Sequence, residues 1–256
     1  MLSLGGTQQR MPGIYITRGM TVSIPSFPIR FRPNGEVESD PITLHVHFDV
    51  CPAWFQIAKR HMESALIAQT KRQQVWAGAD ENAKALALED EFEASMQAIM
   101  AAAIAWDAAY AVLREHVVIP DAMAEKWRKR RTARYTQVSE TVRRAFIMKP
   151  EGTSALRANL KEIYRYRDLA VHPPGKIEKP MLHPELDLGM EWRFVYFRAR
   201  NAELAVLAAA AMLWDLAHNG KPKDPKVTEY QKTLAVRLQE IFPNGAPVVP
   251  TTAVKE

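Results

Sequence analysis

Between Tyr164 and Pro173 the chain reads Tyr-Arg-Tyr-Arg-Asp-Leu-Ala-Val-His-Pro, with Arg167 and His172 separated by four residues. A guanidinium can grip two phosphate oxygens at once. An imidazole can move a proton near neutral pH, and Asp168, one helical turn before His172, could orient it. The neighbouring apolar positions Leu156, Leu160, Ile163 and Ala170 fall on one helical stripe, and Arg167 lies on that stripe. A charge there is costly unless another group pairs with it. His172 precedes a proline, which ends the helix at that point.

Two other stretches carry reactive residue types. In His45-Val46-His47-Phe48-Asp49-Val50-Cys51 a strand's alternation puts His45, His47, Asp49 and Cys51 on one face. Two imidazoles and a carboxylate could hold zinc. The string also matches the start of the His-x-His-x-Asp-His motif of metallo-β-lactamase-like hydrolases, but Val50 stands where the next histidine belongs. A half-buried strand with a polar outer face accounts for the pattern, so no metal ligand is assigned and no cofactor is expected. The third stretch is basic. From residue 126 to residue 144 Lys126, Arg128, Lys129, Arg130, Arg131, Arg134, Arg143 and Arg144 face only Glu140, a local charge of about +7 against +5 for the whole chain. Such a run could neutralise phosphates, with Trp127 and Tyr135 stacking on bases. The same two rings could instead anchor the helix to its neighbours.

The elements that must position these residues are mostly helices. Hydrophobic residues at 47% and charged ones at 25% suffice for a core. The lone Cys51 excludes an internal disulfide and suits a reducing compartment. The start, Met1 to Gln9, lacks a basic stretch followed by an apolar run, so no signal peptide is expected. Two Ala-rich segments, Ala98 to Leu113 and Leu204 to Ala217, are interrupted by Asp107 and Asp215. Neither reaches the roughly 20 apolar residues of a membrane span, which makes a cytoplasmic, membrane-free protein the expectation.

Residues 1–51 read as a β-rich appendage. Ile14 to Thr17 and Thr21 to Ile24 are β-prone runs, and Ile29 to Arg32 is expected to pair with Ile42 to Val50 across Pro33-Asn34-Gly35. Residues 52–242 read as an antiparallel helical bundle, and 243–256 as a disordered tail. Helices are expected over 52–76, 80–116, 121–147, 154–172, 190–218 and 224–241. The first carries a stripe of Phe55, Ala58, Met62, Ala65 and Leu66 that fades at Gln69. The second carries a heptad-like seam of Phe92, Met96, Ile99, Ala103, Trp106, Tyr110 and Leu113. The fifth, apolar on nearly every side, is expected to be the central helix. The fold class is mainly α.

The Arg167–His172 pair, at a helix end in mid-chain and followed by a long apolar helix, resembles the Arg-x4–6-His motif of HEPN ribonucleases. These are small helical bundles that include toxins and antiviral nucleases. The likeness extends over the helical context, 52–242, and its specific part is about ten residues. Asp168 stands where family members most often have Asn, and the N-terminal strands are no part of the family bundle. The resemblance implies a metal-independent endoribonuclease acting in a homodimer, with two Arg167–His172 pairs in one composite site. It implies cleavage to a 2′,3′-cyclic phosphate and a 5′-hydroxyl, with Arg167, His172 and Asp168 as the catalytic group. Tyr164 and Arg165 would line the approach, the 126–144 segment would follow the RNA backbone, and an inhibitory protein partner is possible. Two other functions fit the residues: a nucleic-acid-binding helical module without catalysis, and a protein-interaction module built on the heptad seam.

Overall fold

The computed structural model describes residues 14–24, 26, 28–39, 42–175 and 177–250, which fall into two units, Met1–Asp49 and Val50–Glu256. In the first unit β1 (Met20–Ser23) pairs antiparallel with β4 (His45–Phe48), and β2 (Ile29–Phe31) pairs with β3 (Val37–Ser39). The Asn-Gly turn therefore joins β2 to the residues that follow it directly, not to Ile42–Val50 as expected. A short turn pairs the segments on either side of it, which leaves β4 for β1. Ile14 to Thr17 forms no strand. None of this unit's described residues is buried. In β4, His45 and His47 lie opposite Ser23 and Thr21, and Val46 and Phe48 opposite Val22 and Met20, but all four residues are exposed, so the strand is not half-buried as expected.

The second unit contains eight helices among its described residues. The first, α1 (Cys51–Trp76), starts on a first-turn proline. The longest, α2 (Glu81–Glu115), is capped by Asp80, whose carboxylate accepts from the amides of Asn82 and Ala83. The basic stretch forms two helices, α3 (Asp121–Lys129) and α4 (Arg134–Ala145), instead of one continuous helix. The break is a helix-terminating loop. The Thr132 amide donates to Trp127 O at 2.9 Å and the Arg131 amide to Arg128 O at 3.3 Å, with Arg131 in the left-handed region at φ 46°. Pro150, in the first turn, starts α5 (Pro150–Val171) a turn earlier than Ser154.

The next segment holds a hairpin absent from the sequence expectations, β5 (Met181–His183) with β6 (Leu188–Met190), and a short α6 (Trp192–Tyr196) that separates from α7 (Ala199–Asn219). Asp224 caps α8 (Pro225–Ile241) by accepting from the Lys226 amide. Gly220 lets the chain leave α7 close to α4, since a Cβ there would lie 2.3 Å from Leu216 O and 2.9 Å from the Phe146 ring. Residues 243–250 form no helix or strand, and the rest of the expected tail lies outside the described residues.

The central helix is α2, which packs against α1, α4, α5, α6 and α7. The expected centre, α7, keeps Leu204, Leu207, Ala208 and Met212 only half-buried. The seam on α2 is occupied within the chain. Phe92 packs on Phe194 and Phe197 at centroid distances of 5.1 and 5.9 Å, and the Trp106 indole donates to Ala209 O at 3.2 Å. A second α2 stripe, Ala87, Glu91, Ser95, Ala98, Ala102, Ala105 and Ala109, is fully buried and small enough for a close helix–helix approach. By length and composition α2 passes for a membrane-crossing helix, with mean hydropathy 1.4 over an 18-residue window, yet 56% of that window is buried inside the bundle.

Candidate active site

Between Glu93 and Arg114 the only charged residue is Asp107, and three side chains from other helices converge on it. Its Oδ1 accepts from Arg134 Nε at 2.7 Å and from the Tyr164 hydroxyl at 2.9 Å. Its Oδ2 accepts from an Arg167 terminal nitrogen at 3.0 Å. The clasp ties α2 to the first turn of α4 and to the last part of α5. Each arginine also lies over a ring, Arg134 over Tyr110 at 4.2 Å and Arg167 over Tyr164 at 4.6 Å. Burial, reinforced by the Asp107 carboxylate, pushes the Tyr164 hydroxyl far above the ordinary tyrosine range, so it stays a proton donor. Burial opposes the Arg134 charge, but the hydrogen bond and charge of Asp107 outweigh it and hold the guanidinium protonated.

Arg167 thus meets the requirement that a charge on the apolar stripe be paired. Asp168 plays a different part from the expected one. Its carboxylate takes two bonds from Arg167, at 3.1 Å from Nε and 2.8 Å from a terminal nitrogen. Its link to His172 is through the backbone, where the His172 amide donates to Asp168 O at 2.8 Å. His172 is exposed at the C-cap of α5.

Arg134, Lys161, Arg165, Arg167, Asp168 and His172 line one open groove of about 380 Å³, with Ala133, Tyr135, Tyr164 and Leu169 completing its walls. Its lining is mostly cationic and partly aromatic, a surface suited to a phosphate with an attached base or sugar. Tyr164 is 2% exposed, so its ring is no stacking platform. Arg165 is partly committed to Glu162 at 2.8 Å. Of the basic residues of the 126–144 segment expected to follow RNA, only Arg134 reaches this groove. Lys126, Arg128, Lys129, Arg130 and Arg131 stand exposed on α3 and its terminal loop, with Lys129 paired to Glu125. Tyr135 packs against the core.

His45, His47, Asp49 and Cys51, weighed above as zinc ligands, do not all lie on β4. β4 stops at Phe48, and Cys51 opens α1 with no exposure, so the four residues do not share one strand face. Among the described residues no three His, Cys, Asp or Glu side chains are grouped to hold a metal ion.

Sequence reading missed a second charged cluster. The α1 stripe continues from Ala65 through Ala68 to Arg72, fully buried and paired with Glu91 of α2 and Glu185 of the β5–β6 turn. Glu185 also accepts from Gln69 and Arg198 at 3.1 and 3.3 Å, and Glu91 accepts from the Ala199 amide at the start of α7. His183 is fully buried, with Nδ1 accepting from the Glu185 amide at 3.2 Å. Burial first, then the Arg72 charge, lowers its pKa to about 4. The signal was available: Arg72 and Glu91 continue helical stripes of small apolar residues, where a charge implies a buried partner.

No protein-family model matches the chain, and no curated protein or solved structure is significantly similar to it.

Proposed function

We propose that the chain is a metal-independent endoribonuclease of the HEPN type, working on RNA in the groove between α4 and α5. The observation that carries this reading is that Arg167 and His172 line one cationic groove together with Arg134 and Lys161. In the proposed reaction the ribose 2′-oxygen attacks the adjacent phosphorus and gives up its proton. The bond from phosphorus to the 5′-oxygen breaks, and that oxygen gains a proton. The products are a 2′,3′-cyclic phosphate and a 5′-hydroxyl. His172 would carry the proton, and the groove's guanidinium charge would stabilise the phosphoryl oxygens.

The site would be completed by a second copy of the chain in a cytoplasmic homodimer. Because the α2 seam is occupied by α6 and α7, the two copies would meet through another surface, and an inhibitory protein could cover the same groove. A toxin or antiviral role would follow from such an activity. A second function, RNA binding without cleavage, is favoured by two facts: Arg167 is held between two carboxylates, and the α3 cations stand free of the groove. Incubating wild type and His172→Ala with RNA in EDTA, followed by end-group analysis, tests the proposal. Cyclic-phosphate ends from wild type alone are expected; equal cleavage by both proteins removes His172 from the chemistry.

A further inference from the structure

The two arginines that share Asp107 are not equally available to a ligand. A guanidinium has five N–H donors. Arg167 spends three of them, on both of its carboxylate partners, and its side chain is 23% exposed. Arg134 spends only Nε, on Asp107, and its side chain is 39% exposed. Its two terminal nitrogens have no protein acceptor among the described residues, and the residue lines the groove. That pair is the half of the guanidinium fork that binds two phosphate oxygens. Tyr110 beneath the plane and Asp107 at Nε fix its direction, so little freedom remains to be lost on binding. Lys161, exposed and without a partner carboxylate among the described residues, lines the same wall.

We infer that Arg134 is the residue that grips the phosphodiester of an RNA substrate in this groove, while Arg167 is a positioning residue that holds Asp107 and Asp168 in place and adds charge from behind. The inference rests on the ribonuclease reading for its substrate class, but phosphate capture does not require cleavage. Arg134 lies outside the Arg167–His172 motif and reaches the groove only because the α3–α4 break places it at the start of a new helix.

The test uses the full-length chain and a short 2′-O-methyl oligoribonucleotide, which cannot be cleaved because its 2′-oxygens are blocked. Binding is followed by fluorescence anisotropy at low ionic strength. Arg134→Gln is expected to weaken binding by about tenfold to a hundredfold, as loss of a charge-assisted bidentate contact implies. Arg60→Gln, an equal loss of charge on exposed α1 surface, should change it by about twofold or less. Where the glutamine variant melts early, two charge-preserving variants decide. Arg134→Lys keeps a cation for Asp107 but loses the fork, and should weaken binding more than Arg167→Lys does. The reverse order overturns the inference, as does wild-type affinity in Arg134→Gln or failure of wild type to bind the oligonucleotide. Binding that depends on Arg134 in a protein that cleaves no RNA would keep the phosphate site and remove the ribonuclease reading.

Discussion

Arg167 donates to Asp107 Oδ2 at 3.0 Å across sixty residues of chain, and this bond joins the only charge between Glu93 and Arg114 of α2 to the arginine of the candidate motif. Arg134 and Tyr164 bind the other oxygen of the same carboxylate. The groove's cationic wall is therefore held by one acid from beneath.

The clasp predicts an asymmetric response to mutation at Asp107. Replacing it with Ala leaves the buried Tyr164 hydroxyl without its acceptor and two guanidinium groups without their shared partner. A loss of about 2–4 kcal/mol is expected in urea unfolding. Asp107→Asn retains an acceptor oxygen and should cost less. Equal stability of the Ala variant and wild type would show that the clasp contributes nothing.

His172 should behave in the opposite way. It is exposed at a helix end, so His172→Ala is expected to shift stability by about 1 kcal/mol or less while abolishing RNA cleavage. Wild-type cleavage should persist in EDTA. Activity lost on chelation and restored by zinc or magnesium would sink the metal-free mechanism.

His183 supplies a pH dependence whose sign is set by its burial. The folded protein holds it at about 4, against 6.5 for the ordinary side chain. The unfolded chain takes up a proton below about 6.5 that the folded chain refuses. This contribution to stability is complete above that pH and is lost as pH falls from about 6.5 to about 4, by roughly 3 kcal/mol. The charged groups acting on the imidazole are Arg72 on α1, Glu185 in the hairpin turn and Arg198 before α7. Asn at position 183 keeps an acceptor near the Glu185 amide and has no proton to gain. The His183→Asn protein should show a flatter stability profile across that window; an unchanged slope would assign the acid sensitivity to the carboxylates.

Arg131 occupies a left-handed position that usually belongs to glycine. Arg131→Gly is therefore expected to leave stability unchanged or raise it by about 0.5 kcal/mol. Arg131→Val should lower it by about 1–2 kcal/mol, because a β-branched side chain tolerates that backbone poorly. Thermal melts of the three proteins should rank Gly, Arg, Val. A Val variant as stable as wild type would mean that the α3–α4 break is not held in this form.

Much of the helical framework was legible from residue patterns. Periodic apolar spacing and the punctuation at Pro52, Gly220 and Asp224-Pro225 are local signals, and they marked the start of α1, the end of α7 and the start of α8 closely because caps and proline act on the residues next to them, whereas Ser154 placed the start of α5 a turn late. The breaks at 130–133 and 197–198 were not legible. No glycine or proline marks either, and Arg131 adopts its conformation where the surroundings turn the chain.

The candidate motif was visible as Arg167, Asp168 and His172, but the roles within it were not. Sequence spacing put Asp168 on His172, one turn away, whereas the folded chain gives its carboxylate to the adjacent Arg167. Asp107 entered the site, and Arg134 came to share its carboxylate, only through packing, since α2, α4 and α5 are brought together by burial of residues that carry no chemistry. Local preference, acting over a few residues, determined where helices start and which faces are apolar. Only the tertiary structure decided which charges meet, because an ion pair buried between helices depends on contacts dozens of residues apart that no spacing rule encodes.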